Sequence, residues 1–235
     1  EEVSGIGRDR TGKIIAAWEE QKQVKEIMVF LHAHGVSTNL AVKIYKEYGD
    51  RALQVVQEDP YQLERDIYGI GFKTADRIAQ ALGLSPEHPS RIEAGIVFAL
   101  NETINQGHVY VPRGMLVQRA IELLGVSHEL LPAGLERLEG QERIRQEKLP
   151  RPNGRDDEIM DVVYLTPLYW GEVGVAERIK ALTKAQSPLF LQEELPQTGL
   201  ELSDEQGQAV KMALEHPVSI LTGGPGTGKT TCLKA

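Results

Sequence analysis

One cysteine, Cys232, stands among 235 residues. That excludes an intramolecular disulfide framework and argues against a zinc ribbon. No apolar run approaches the roughly 18–20 residues that a membrane-spanning helix needs. The opening residues, EEVSGIGRDR, have the pattern of neither a signal peptide nor a transit peptide. Positive charge is in deficit, with 26 Lys and Arg against 34 Asp and Glu and a formal net charge of −8. A generally basic protein that coats duplex is thereby excluded, although phosphate can still be held by a few local amides and cations. The six histidines form no H-x₃-H or H-E-x-x-H pattern, and His32 and His34 would point to different faces of a helix, so no histidine-based metal site is expected. These absences fit a reducing, cytoplasmic setting without membrane contact.

What is present is an ordinary globular balance, 41% apolar and 26% charged, enough for one large domain or two smaller ones. The chain does not start with Met and stops a few residues after a phosphate-loop signature, so a piece of a longer protein is expected.

Residues 1–83 read as short helices punctuated by glycine. Ile14, Ile15 and Trp18 share a helical face, Val24, Ile27, Met28 and Leu31 continue the spacing, and Leu40 to Tyr48 repeat it. Asp59-Pro60 reads as an N-cap with proline at the first helical position. Ala75, Ile78, Ala79 and Leu82 form a stripe that Gly83 ends. Over 84–184, Ser90 and Glu93 have capping-box spacing. Helical stripes follow through Ile92–Ile104, Leu116–Leu124 and 130–138, with 107–112 as an extended connection. A β-ribbon is expected from strands near 142–148 and 160–166, turning at Asn153-Gly154. A helix resumes over 169–184, 185–201 reads as a linker, and 202–215 is an amphipathic helix before a short buried strand, PVSILT (217–222).

The segment GGPGTGKT (223–230) follows at once. Gly223, Gly228, Lys229 and Thr230 satisfy G-x-x-x-x-G-K-[ST], and Gly224, Pro225, Gly226 and Thr227 fill the loop between them. Such a loop must wrap backbone N–H groups around phosphate oxygens, so side chains must be small and positive φ accessible. Lys229 would reach the β/γ-phosphates and the Thr230 hydroxyl would ligate Mg²⁺. Gln206 is a second candidate, since its amide can pair with an adenine edge. Ser203-x-x-Gln206 is equally a capping box, and both roles coexist only if the amide faces the nucleotide. Cys232, on the helix after the loop, reads as a small core residue.

Three segments share a further pattern: SGIGRDRTGKI (4–14), HGVSTNLAVKI (34–44) and YGIGFKTADRI (68–78). Gly5, Gly35 and Gly69 recur about thirty-odd residues apart, which suggests a repeated two-helix unit. Ile6, Val36 and Ile70 would plug each pair of helices, while the glycines form a tight turn whose amides can hold a DNA phosphate. Candidates for that contact are Gly35, Gly69, Gly71, Lys73 and Thr74, among the cations Arg8, Arg10, Lys13, Lys43, Lys73 and Arg77. Two features count against it: Ser37 restricts the second turn, and Asp9 and Asp76 would repel phosphate. The competing reading is a set of helix corners that only hold a bundle together.

These glycine hairpins, then YGIGFKTADRIA (68–79), AGI-x₇-INQGHVYVP (94–112), LSDEQGQAV (202–210) and LTGGPGTGKTT (221–231), closely resemble the RecD-like ATP-dependent DNA helicases, in the branch with a long N-terminal extension. The resemblance implies a superfamily 1 motor that uses ATP and Mg²⁺, moves 5′→3′ on single-stranded DNA and opens forked or 5′-tailed duplex in repair and recombination. It matches Gln206 to the adenine-reading glutamine and Gly223–Thr230 to the first ATPase motif, with Thr231 supporting the loop. It implies helix-hairpin-helix repeats in 1–83 and the first β-loop-α of a RecA-like α/β motor in 202–235, while helices followed by a β-ribbon suggest by pattern a helical, winged-helix-like region in 84–184, before the linker in 185–201. The expected fold is thus mainly α. No Asp-Glu pair and no arginine finger follow the loop, so useful ATP hydrolysis by these residues alone is not expected. The alternative is a DNA-binding scaffold of helix-hairpin-helix type with a nucleotide-dependent switch.

Overall fold

A computed structural model describes residues 24–151, 158–184 and 202–234. The chain divides into two units, Glu1–Thr166 and Pro167–Ala235. The expected first hairpin (4–14), the helical face of Ile14, Ile15 and Trp18, the Asn153-Gly154 turn and the linker (185–201) lie outside the described residues.

The first unit begins with helix α1 (24–33) and α2 (Thr38–Tyr48), then a 3₁₀ turn, α3 (Ala52–Glu58), α4 (Gln62–Asp66) and α5 (Phe72–Ala81). Their apolar faces close on one core that contains Leu31, Val36, Ala41, Ile44, Val56, Leu63, Ile70 and Ile78. The stripe spacing anticipates α1, α2 and α5, and Val36 and Ile70 are buried as the plugs of their turns. The seven-residue α3 carries no comparable stripe, because only Ala52 and Val56 of it are buried. Helix α4 starts two residues later than Asp59-Pro60 implies. The Asp59 carboxylate accepts the Tyr61 N–H at 3.1 Å, and this Asx-type turn precedes the helix instead of capping it.

A second core gathers around α6 (Pro89–Ile104), with α7 (Arg113–Leu124), α8 (Leu130–Gly140) and three strands, β1 (Tyr110–Pro112), β2 (Ile144–Pro150) and β3 (Ile159–Leu165). The sheet is antiparallel in the order β1-β3-β2, with Val111 opposite Val163 and Ile144 opposite Leu165. The short 107–112 segment thus ends in a true strand. The expected capping box at Ser90 and Glu93 is not formed. Helix α6 starts at Pro89, His88 caps it by accepting the Ser90 N–H at 3.3 Å, and Glu93 instead accepts from Arg137 (2.5 Å) and Gln141 (3.0 Å). Helices α7 and α8 approach α6 closely through glycine. A Cβ on Gly95 would lie 2.5 Å from Leu124 Cδ2, and one on Gly134 would lie 2.8 Å from Ile92 Cγ2.

The two cores are joined by an ion pair. Asp76 on α5 accepts from Arg91 Nε on α6 at 2.8 Å and from the Tyr61 hydroxyl at 2.6 Å. Arg91 Nη1 also donates to the Pro86 and Leu124 carbonyls, so this nearly buried guanidinium is satisfied on several sides. Burial, then the bond to Asp76, raises the Tyr61 hydroxyl's pKa far above its ordinary value.

The second unit holds most of α9 (Thr166–Lys184), α10 (Asp204–Glu215), the glycine loop and α11 (Lys229–Lys234). The expected stripe of α9 exists as a helix, yet Val175, Ile179 and Leu182 are exposed. The expected strand at 217–222 is not formed among the described residues: this stretch has no ladder partner and Ile220 is 84% exposed. A strand that is to be buried on both faces needs neighbours to pair with, and apolar sequence alone does not supply them.

Candidate nucleic-acid groove and nucleotide loop

Each described hairpin is a helix end followed by a helix start. Gly35 has φ +76, and Val36 N–H bonds back to Leu31 O at 2.9 Å, which ends α1 in a left-handed turn. Gly69 has φ +91, and the next amide, on Ile70, bonds to Ile67 O at 3.1 Å. Only these two positions need glycine. Gly71 has φ −100 and Ser37 φ −67, both ordinary extended backbone, and each is the N-cap of the following helix. The expectation that Ser37 restricts its turn is therefore corrected: serine costs nothing at that position.

The two hairpins open on one groove of about 350 Å³, lined by residues that include Gly35, Ser37, Lys43, Gly69, Thr74 and Arg77. Neither α2 nor α5 has a side-chain cap on its first amides. Two helix starts, each with partial positive charge, thus share the groove with Lys43 and Arg77. Lys43 also ties the hairpins together, donating from Nζ to Tyr68 O at 3.3 Å.

Of the predicted contacts, Gly35, Gly69 and Thr74 line this groove, and Gly71 caps α5 beside it. Lys73 does not join them: its Nζ lies 5.5 Å from the ring centroid of Phe98. Asn39, at the second position of α2, is a lining residue that glycine spacing does not flag. The expected repulsion from Asp76 is also corrected. Its carboxylate is taken up by Arg91, Tyr61 and Gln80, which offsets its charge. Asp9 lies outside the described residues.

In the second unit, Gly226 (φ +79) and Gly228 (φ +80) give the loop its winding, and α11 starts at Lys229. The Lys229 ammonium is folded into the loop, donating to Gly223 O at 2.6 Å and Gly224 O at 2.7 Å. Thr227 Oγ1 donates to Gly224 O at 2.9 Å, and the Thr231 and Cys232 amides bond to Gly228 O. Thr230 is exposed, and Cys232 is half-buried, not a core residue.

Gln206 uses both ends of its amide within the second unit. Its amide oxygen accepts the Ser203 N–H at 3.0 Å, completing the capping box of α10, and its amide nitrogen donates to Thr227 O at 3.2 Å. The capping role is thus realised, with the amide nitrogen turned to the backbone of the glycine loop. Glu205, fully exposed, is held below the usual carboxylate range by a backbone hydrogen bond and by the Ser203 hydroxyl. Among the described residues no group of His, Cys, Asp and Glu is arranged to hold a metal ion, and no helix is long and apolar enough to cross a membrane.

Residues 20–110 match the family described as the HHH domain of the ATP-dependent RecD2 DNA helicase, and residues 206–235 match an AAA domain. The chain is 27% identical over 247 aligned positions to the ATP-dependent RecD2 DNA helicase of Deinococcus radiodurans. That alignment covers all of this chain and 33% of the relative. Hairpins and glycine loop thus occur in the matched regions and in the matched order, and the chain is related to the RecD-like ATP-dependent DNA helicases.

Proposed function

We propose that the chain is the DNA-holding, nucleotide-loop-bearing part of an ATP-dependent helicase that moves 5′→3′ on single-stranded DNA and opens 5′-tailed or forked duplex in repair and recombination. The observation that carries the DNA-holding part is the groove onto which two hairpins open, with uncapped α2 and α5 starts beside Lys43 and Arg77. Contacts of this kind hold backbone and read no bases, which suits a protein that must slide.

Four successive pieces are assigned: helix-hairpin-helix repeats in 1–83, a winged-helix-like region in 84–184, a linker in 185–201 and the start of a RecA-like ATPase domain in 202–235. The connectivity helix, short strand, two helices and a two-strand ribbon in the sheet order β1-β3-β2 supports the winged-helix reading of α6–β3. The last helix before the ribbon, α8, carries exposed Glu136, with Glu129 at its cap, so it would repel a DNA groove. We therefore assign that region the role of a frame that fixes α5 through the Asp76–Arg91 pair.

The glycine loop fits a triphosphate: small residues at positive φ, an ammonium already within the loop and a hydroxyl at the start of α11. Gly223–Thr230 would hold the phosphates, Gln206 the adenine edge, and Thr231 would support the loop. Lys229 must exchange its two carbonyl partners for phosphate oxygens, and Thr230 would hold the phosphate-bound Mg²⁺. Mg²⁺ when bound neutralises charge that develops on the transferred group. In the complete polypeptide that contains this chain, unwinding of a 5′-tailed duplex should require ATP, exceed that of a 3′-tailed duplex and be lost in Lys229→Ala. Equal unwinding of both tails would refute the polarity, and ATPase indifferent to single-stranded DNA would refute the motor.

A further inference from the structure

The two described hairpins differ at the residue that leads into each turn. In the first it is His34, whose Nδ1 donates to Phe30 O at 2.8 Å and whose ring centroid lies 4.3 Å from that of Phe30. In the second it is Tyr68, 99% exposed, above every other exposed large apolar side chain among the described residues. Its backbone is fixed all the same. The Tyr68 carbonyl accepts from Lys43 Nζ at 3.3 Å, Gly69 follows at φ +91, and Ile70 is buried in the core below. A fixed main chain thus carries a free aromatic ring immediately before the residues that line the groove. Such a ring gains nothing from intramolecular burial.

We propose that Tyr68 is a stacking platform for one unpaired base of the strand whose backbone lies in the hairpin groove, so that the second hairpin favours single-stranded DNA over duplex. The inference rests on the reading of the hairpins as a DNA-holding site. The reason is chemical. Every base has a π-face that an aromatic side chain can cover, and stacking of this kind tolerates any sequence. In duplex those faces are already stacked on their neighbours, so only a single strand offers one. His34 is committed to Phe30, and the first hairpin therefore contributes backbone contact alone.

The test is equilibrium binding of the 235-residue chain to three labelled probes of equal length at one salt concentration: oligo-dT, an abasic strand and blunt duplex. The parent chain should bind oligo-dT about tenfold more tightly than the abasic strand. Tyr68→Ala should bring oligo-dT down to the abasic level and leave abasic and duplex affinities unchanged, while Tyr68→Phe keeps the preference. The residue is exposed, so the variants should unfold with the parent, which a thermal scan checks. A Tyr68→Ala chain that still prefers oligo-dT over the abasic strand overturns the inference, as does a parent chain that binds all three probes alike. Failure of the parent to bind any probe overturns the underlying hairpin reading instead.

Discussion

Gly69 and Gly71 look alike in the sequence and differ in the structure. Gly69 sits at φ +91, where a β-branched side chain is strained, whereas Gly71 is extended and a Cβ there would meet nothing within 4 Å. Gly69→Val should cost about 1–3 kcal/mol in urea unfolding. Gly71→Ser, which reproduces the residue at 37, should stay within about 0.5 kcal/mol of the parent. Equal losses from the two would contradict the assignment of the turn. Glu64 offers a test by pH. Burial raises its pKa, and Arg143 and Arg65 only partly counter that. A raised carboxylate stabilises the fold while protonated and loses that contribution as pH rises through its folded pKa. Glu64→Gln should therefore be more stable than the parent at neutral pH, and the difference should vanish below about pH 4, where the acid is protonated in both states. A Glu64→Gln chain less stable than the parent at neutral pH would show that the arginines outweigh burial.

Elements were legible where a local rule was sufficient. The stripes at 3–4 spacing found α5 and α7, because one face of each is buried in a core, and α6, which is buried nearly all round. The two glycine turns were legible because each needs positive φ, which few other residues supply. Failures came where a distant partner decides. Ser90 and Glu93 keep capping-box spacing, but Arg137 and Gln141, more than forty positions away, take the Glu93 carboxylate. Among the described residues the apolar 217–222 run has no neighbouring strand. Crossing distances were equally invisible. Gly95 and Gly134 admit α7 and α8 against α6, so Gly95→Ala should cost about 1–3 kcal/mol by forcing Leu124 aside. The end of α8 predicts the opposite sign. Glu142 follows this helix at φ +56, a position that glycine fills without strain, and its exposed pairing with Arg145 at 3.9 Å contributes little. Glu142→Gly should stabilise by about 0.5–1 kcal/mol, read as a higher urea midpoint at unchanged m-value.

At the scale of the molecule, an acidic chain carries a locally cationic groove. The net charge of −8 describes the average surface. The groove depends on Lys43, Arg77 and two uncapped helix starts, while Arg91 offsets the neighbouring Asp76. The sequence made the hairpins visible one at a time; their convergence on a single groove, and the turning of Lys73 away to Phe98, are products of packing. The most direct test of the account is the affinity of the chain for a labelled single strand through a salt series, with Lys43→Ala/Arg77→Ala beside the parent and folding checked by circular dichroism. The account predicts binding that weakens linearly in log–log form as salt rises, with the double variant weaker at low salt and its slope shallower by roughly one to two. A parent that does not bind at low salt, or a folded double variant with the parent's affinity and slope, would contradict it and leave the hairpins as corners of a bundle.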